Sequence, residues 1–425
     1  MILHQKSDLL HESYTRYEHE SGLAIYVFPK KMTSTYALLA TDFGAVDHTL
    51  DGKELPDGVA HFLEHKLFTN EDGSDAFEHF SALGADANAY TSHTRTVYLF
   101  SCTEHFVEAL GELIDFVTHP FFTEETVKKE QGIIAEEIRM CRDNPYDQCY
   151  YNMLRGLYRH HPVKKDICGS LSSIEKITPS LLYRVHEAYY QLSNMTLVVC
   201  GDVDPDAVFD IASKHISSTP KGAPPVRPTA LEDRCVHHAR ISRHGQVAKP
   251  IFSIGVKDTT FPSNPVERLK RDAGMAILGE MLFSESGELY NSLFDEGLIS
   301  PDLSFDYALT EDFAFLQIAG ESGDPDAVFA RIREYLAQKQ QSGLSPVDFE
   351  RCRRIEYAEY IKSFDSTEEI ANTLLSFAME GVDIFSYSEV LSGITLSFVE
   401  GLLREVFTPD SFTLSVIVAA RESNT

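Results

Sequence analysis

The sequence predicts an α+β protein made of two homologous α/β halves, each a mostly antiparallel sheet packed with helices. Three observations predict it. Short runs rich in β-branched and aromatic residues alternate with stretches of helical periodicity along the chain. A stretch rich in proline and small residues, 217–233, divides the 425 residues into two nearly equal parts. The order of elements before that stretch then recurs after it. The expected organisation is an N-terminal half, 1–216, that carries the chemistry, a linker, 217–233, and a C-terminal half, 234–425, that does not.

In the first half, 22–28 and 35–41 read as strands bounded by turns. Pro56 breaks the next segment, Asp57 is a good N-cap, and no breaker interrupts 59–68, so a helix is expected there. A helix over 74–83 stops at Gly84, and 85–91 and 95–100 alternate like paired strands. Phe106, Leu110, Leu113 and Phe116 stand at helical spacing within 105–117. Thr123 caps a helix running to Cys141, with Glu124 and Glu125 where the helix dipole favours them. Ile133, Ile134, Ile138 and Met140 of that helix are available to the core. A further helix follows Pro145, then a turn at 166–169, a helix over 179–190, a buried strand at 194–201 and a helix from Pro205.

The second half repeats this order. A strand at 249–256 precedes 274–283, which echoes the 58–68 segment one residue shorter. A strand at 312–318 and a helix over 325–338 echo 95–117, the 346–363 helix echoes the one bearing Glu137, and 411–418 echoes the strand ending near Cys200. Apolar residues near Ile277 and Met281 replace the two histidines of the first copy, so one copy carries chemistry and the other supplies shape.

Composition narrows the function classes. A formal net charge of −28 argues against nucleic acid, which needs a basic patch, and against anionic membranes. The 43% hydrophobic content supports a sizeable core. Seven scattered cysteines with no C-x-x-C pair point to a reducing compartment and make cysteine zinc ligation an unexpected role. The polar N-terminus has no apolar leader core and no stretch is long enough to span a bilayer, so the expected location is the cytoplasm.

The chemistry centres on His61-Phe-Leu-Glu64-His65, an H-x-x-E-H motif. On a helix the two imidazoles are one turn apart, and Glu64 shares their face. Two such imidazoles clamp a single metal ion, and a neighbouring carboxylate can work on water beside it. A third protein ligand must come from a distant helix. The helix bearing Glu130, Glu136 and Glu137 is the candidate, and periodicity does not choose among the three, although Glu130 and Glu137 are two turns apart on one face.

His61 to His65 followed by Glu130-Gln-Gly-Ile-Ile-Ala-Glu136-Glu137 resembles the pitrilysin/insulinase family of inverzincins. The match extends to Ala87-Asn88-Ala89-Tyr90-Thr91 with Tyr98, to His161-Pro through Gly169, and to the strand ending Gly201-Asp202. The length resembles the short processing-peptidase branch, whose clamshell subunits pair into a closed chamber. The resemblance implies a zinc metalloendopeptidase with His61, His65 and Glu137 as Zn²⁺ ligands, Glu64 as general base, and Glu130 as the carboxylate that orients a ligating histidine. It implies an edge strand at Asn88 and Ala89 where a peptide adds as an extra strand, with Phe68 as a further substrate contact.

The sequence departs from the family at one place. Active members carry an Arg and a Tyr in the second half near a Gly-Leu pair, and here that segment reads Leu293-Phe-Asp-Glu-Gly297-Leu-Ile-Ser300-Pro. Tyr307 lies farther along and is a weak substitute. The expectation is a dimer in which a related metal-free subunit supplies both groups. The rival reading is a non-catalytic peptide-binding or structural subunit of such a complex.

Overall fold

The computed structural model describes residues 1–71, 73–216, 223, 225–228, 230–420. Part of the expected linker, 217–222, 224 and 229, lies outside the described residues. The chain forms two compact units, and neither is one continuous stretch: the first comprises Met1–Ile138, Lys165–Pro228 and Ile361–Phe385, the second Arg139–Lys164, Thr229–Tyr360 and Ser386–Thr425.

In chain order the first unit contributes β1 (Ile2–Ser7), β2 (Glu12–Glu18), β3 (Ala24–Pro29), β4 (Thr35–Thr41), a two-residue ribbon of β5 (Thr49–Leu50) and β6 (Lys53–Glu54), then β7 (Asp86–Thr91), β8 (Thr96–Cys102) and β9 (Met195–Gly201). Its main sheet has seven strands in the order β1-β2-β3-β9-β4-β8-β7. Every neighbouring pair is antiparallel except β3 with β9. The alternation of side chains divides the strands between two faces. Ile25, Val27, Leu39, Phe100 and Leu197 join the main core on one side, with Leu110, Leu113 and Val117 of the Phe106–Thr118 helix. The Thr367–Met379 helix packs on β4 and β9 within the same unit. Cover on both faces explains why β9, Met-Thr-Leu-Val-Val-Cys-Gly, is nearly continuously apolar rather than alternating.

The second unit holds β10 (Arg240–Gly245), β11 (Ile251–Asp258), β12 (Ser304–Leu309), β13 (Ala314–Glu321) and β14 (Phe412–Ala419), in the order β10-β14-β11-β13-β12. Only β10 with β14 is parallel. This is the β3-β9-β4-β8-β7 plan again, with the parallel pair in the same place, so the first sheet equals the second plus the β1-β2 hairpin. The Pro145–Leu157 helix packs on β11 and β14. It approaches closely because β11 carries Gly255, where a Cβ would meet Met153 at 2.7 Å and Leu157 at 2.9 Å.

Among the described residues six strands are not expected from sequence: β1, β2, β5, β6, β10 and β12. Within the Glu124–Asp143 helix, Ile134 and Ile138 are buried as expected, but Ile133 and Met140 are exposed at 48% and 67%. The motif helix runs Val59–Leu67, one residue shorter than expected, and its N-cap is Gly58 rather than Asp57. Gly58 has φ 88°, and a Cβ there would come within 2.5 Å of the Cys168 carbonyl oxygen. Close backbone approach therefore selects glycine at the cap, and Asp57 Oδ1 instead accepts from Lys165 Nζ at 2.8 Å.

Candidate metal centre

The motif helix is buried on nearly all sides: Val59, Ala60, Phe62, Leu63 and Leu67 anchor it, and His61 and Glu64 are each 7% exposed. The Glu124–Asp143 helix is held against the same core by Val127, Ile134 and Ile138. Glu130 and Glu137, two turns apart, point from it toward the motif histidines. His61 Nε2 lies 3.5 Å from Glu137 Oε1 and His65 Nε2 lies 3.6 Å from Glu137 Oε2. Two donors about 2.1 Å from one tetrahedral ion stand roughly 3.4 Å apart, a spacing each of these two pairs matches, with the two histidines meeting different oxygens of Glu137. The other nitrogen of His65, Nδ1, pairs with Glu130 Oε1 at 3.2 Å. Glu136 is exposed on the same helix, whereas Glu130 and Glu137 meet ring nitrogens of the motif histidines.

Electrostatics differ at each carboxylate. Burial pushes the Glu64 pKa up, opposed by a hydrogen bond from Thr91 and by the two histidines. Thr91 Oγ1 donates to Glu64 Oε2 at 2.5 Å. The bond to His61 holds Glu137 below the usual carboxylate range. Burial works against the charged form of His65, but Glu130, Glu64 and Glu137 together raise its pKa. This donor set, imidazoles beside ionised carboxylate, is one that zinc takes.

Two side chains at the centre were not singled out by sequence. Thr91 belongs to β7, the edge strand, and only the pairing of β7 with β8 reveals its reach to Glu64. Cys168 carries no sequence mark that sets it apart from the other thiols, yet its Sγ is 4.0 Å from Glu137 Oε1. Candidate ligand atoms of His61, Glu137 and Cys168 all lie within 4.8 Å of one another, a group that does not include His65.

The expected substrate contacts fall in different places. Asn88 is exposed on β7, whose outer edge is unpaired among the described residues, and its side chain accepts from the Ala89 N–H at 2.8 Å. Phe68 is only 6% exposed, stacked on Phe77 and Phe116 at centroid distances of 4.1 and 5.0 Å, so it is a core residue in this structure. In the second unit Leu293 is fully buried and Ser300 Oγ accepts from Lys249 Nζ. Tyr307 donates to Asp258 Oδ2 at 2.7 Å, beside the Arg271–Asp258 ion pair, and is occupied there.

Comparison with known proteins agrees with this fold. The insulinase (peptidase family M16) description matches residues 48–170, and the peptidase M16 inactive domain matches residues 176–356. The "Uncharacterized zinc protease YmfH" of Bacillus subtilis (strain 168) is 36% identical over 427 residues, covering 98% of this chain and 99% of that protein. A crystal structure of an M16-like peptidase from Alicyclobacillus acidocaldarius superposes with a TM-score of 0.91 at 31% identity, covering 96% of this chain and 99% of the other. A protease from Helicobacter pylori shares the fold alone, with a TM-score of 0.84 at 18% identity and cover of 98% and 100%. The chain belongs to peptidase family M16.

Proposed function

We propose that this chain is a zinc-dependent endopeptidase that hydrolyses peptides or unfolded segments. The observation that carries the reading is the convergence of His61, His65 and Glu137 beside a buried Glu64 that Thr91 holds in place. A bound zinc supplies Lewis acidity to the scissile carbonyl and lowers the pKa of water at the site. His61, His65 and Glu137 would hold it. Glu64 Oε2 is engaged by Thr91, which leaves Oε1 to take a proton from the attacking water and pass it to the leaving amine nitrogen. Glu130 fixes the tautomer and orientation of His65 through Nδ1. The open edge of β7 at Asn88 and Ala89 receives the peptide as an added strand, so main-chain hydrogen bonds give affinity with tolerance of sequence.

Family resemblance supports a two-subunit chamber. The segment from Leu293 to Ser300, near which family members carry an Arg and a Tyr to steady the developing oxyanion, holds neither, which supports a partner subunit that supplies both. None of the seven cysteines is in a disulfide, which supports a reducing, cytoplasmic setting, and among the described residues no helix is long and apolar enough to cross a membrane.

The missing pair also favours a second reading, a subunit that binds peptide without cutting it. Cleavage of a mixed peptide pool, with and without a related metal-free subunit and with Glu64→Gln beside the wild type, separates the two. Chelator-sensitive cleavage lost in Glu64→Gln, with peptide binding retained, supports the endopeptidase. Binding without cleavage in every combination supports the other reading.

A further inference from the structure

Cys168 stands at the candidate metal centre and has no part in the reaction just described. Its Sγ, 4.0 Å from Glu137 Oε1, completes with His61 and Glu137 the one group of three His, Cys, Asp or Glu side chains found at metal-binding spacing among the described residues. Beside it His61, 7% exposed, turns Nε2 toward Glu137 Oε1 at 3.5 Å.

The position of the sulfur is built into the backbone. Gly58 and Gly169 have φ of 88° and 78° and lie back to back. A Cβ on Gly58 would meet the Cys168 carbonyl oxygen at 2.5 Å, and one on Gly169 would meet the Asp57 carbonyl oxygen at 2.3 Å. Lys165 Nζ to Asp57 Oδ1 at 2.8 Å ties the same two segments. The turn bearing Cys168 is therefore fixed against the start of the helix that bears His61.

We propose that Cys168 is a further ligand of the metal in the peptide-free protein, closing the coordination position that hydrolysis needs open. The proposal rests on the metal-site reading above. A thiolate binds zinc at about 2.3 Å, and the separations here need only a shift of a few tenths of an ångström from about 4 Å to bring sulfur and carboxylate onto one ion. On binding, the S–H bond breaks, the sulfur electron pair goes to the metal and the proton leaves to solvent. A sulfur donor also biases the site toward zinc, cobalt or cadmium over magnesium or manganese. Fully ligated sites are inert and open ones reactive, so a peptide entering the site displaces the sulfur before it is cut.

The test uses the full chain loaded with Co²⁺, for the wild type, Cys168→Ser and Cys168→Ala. Elemental analysis counts bound cobalt, and near-ultraviolet absorption reads the sulfur-to-cobalt charge-transfer band. The expected result is one cobalt per chain in all three proteins, with the band present in the wild type and lost in both variants. Bound cobalt with no such band in the wild type, or a band that persists in the variants, overturns ligation by Cys168 and leaves the His61, His65 and Glu137 reading standing. No bound cobalt in the wild type overturns both. If the variants fail to fold, alkylation of the wild type decides: metal protects Cys168 from iodoacetamide if it is a ligand, and equal labelling with and without metal overturns the proposal.

Discussion

Thr91 Oγ1 donates to Glu64 Oε2 at 2.5 Å, joining the edge strand of the first sheet to the motif helix. In the proposed mechanism this places the strand that receives the peptide and the base that acts on its scissile bond in one hydrogen-bonded unit. Thr91→Val keeps the shape and removes the donor. One lost hydrogen bond to a charged group corresponds to roughly a tenfold fall in kcat, with KM and metal content unchanged. Because the Thr91 bond lowers the Glu64 pKa, its loss raises that pKa, and the acid limb of the pH–rate profile moves to higher pH. Steady-state kinetics across pH read both effects.

In the proposed mechanism Glu130 acts through His65 rather than on substrate. Its Oε1 meets Nδ1, the nitrogen turned away from Glu137. Glu130→Gln should weaken zinc binding by about 10- to 100-fold, the usual cost of losing a carboxylate behind a ligating histidine. Competition with a chelator of known affinity measures it. At saturating zinc most of the activity should return, which a purely structural defect would not allow.

Glu232 gives a pH-dependent prediction for the second unit. Its carboxylate accepts from the backbone N–H groups of Arg159, His160 and His161 and from Lys257 Nζ. Burial opposes the charge, but these donors hold its pKa down to about 2 from 4.5. A depressed folded-state pKa stabilises the native form fully above about 4.5, and the contribution fades as pH falls from there to about 2. Glu232→Gln should therefore cost on the order of 2 kcal/mol at pH 7. The gap from wild type should narrow steadily below pH 4.5. Denaturant unfolding at a series of pH values tests this.

Two glycines in the first unit should respond with opposite sign. Gly58→Ala places a Cβ 2.5 Å from the Cys168 carbonyl oxygen at a positive φ and should destabilise by about 1–3 kcal/mol while lowering zinc affinity. Gly132 lies within the Glu124–Asp143 helix with nothing within 4 Å of an added Cβ. Gly132→Ala should stabilise by about 0.5–1 kcal/mol. Unfolding midpoints of the two variants provide the comparison.

Legibility in the sequence followed how local each cause is. The motif helix and the Glu124–Asp143 helix were readable because helical spacing places His61 with His65 and Glu130 with Glu137. The duplicated plan was readable from element order, and the two sheets share their parallel pair. The strand β1 was hidden because its residues, Ile-Leu-His-Gln-Lys-Ser, lie at a solvent-facing edge and are mostly exposed, so no face repeats. Asp57 has every local mark of a cap, but the cap is set by a backbone contact with Cys168, more than a hundred residues away in sequence. Thr91 and Cys168 join the site through the same kind of distant packing, which no local pattern records. Phe68, expected as a substrate contact, is instead packed against Phe77 and Phe116, which its place beside the motif does not reveal.

The account depends on one metal ion shared by His61, His65 and Glu137. A crystal of the zinc-loaded chain, measured at the zinc absorption edge, tests this directly. One anomalous peak per chain is predicted, about 2.0–2.2 Å from a ring nitrogen of each histidine and from a carboxylate oxygen of Glu137. A zinc-saturated crystal with no peak among these three side chains, or with the ion held elsewhere, would contradict it.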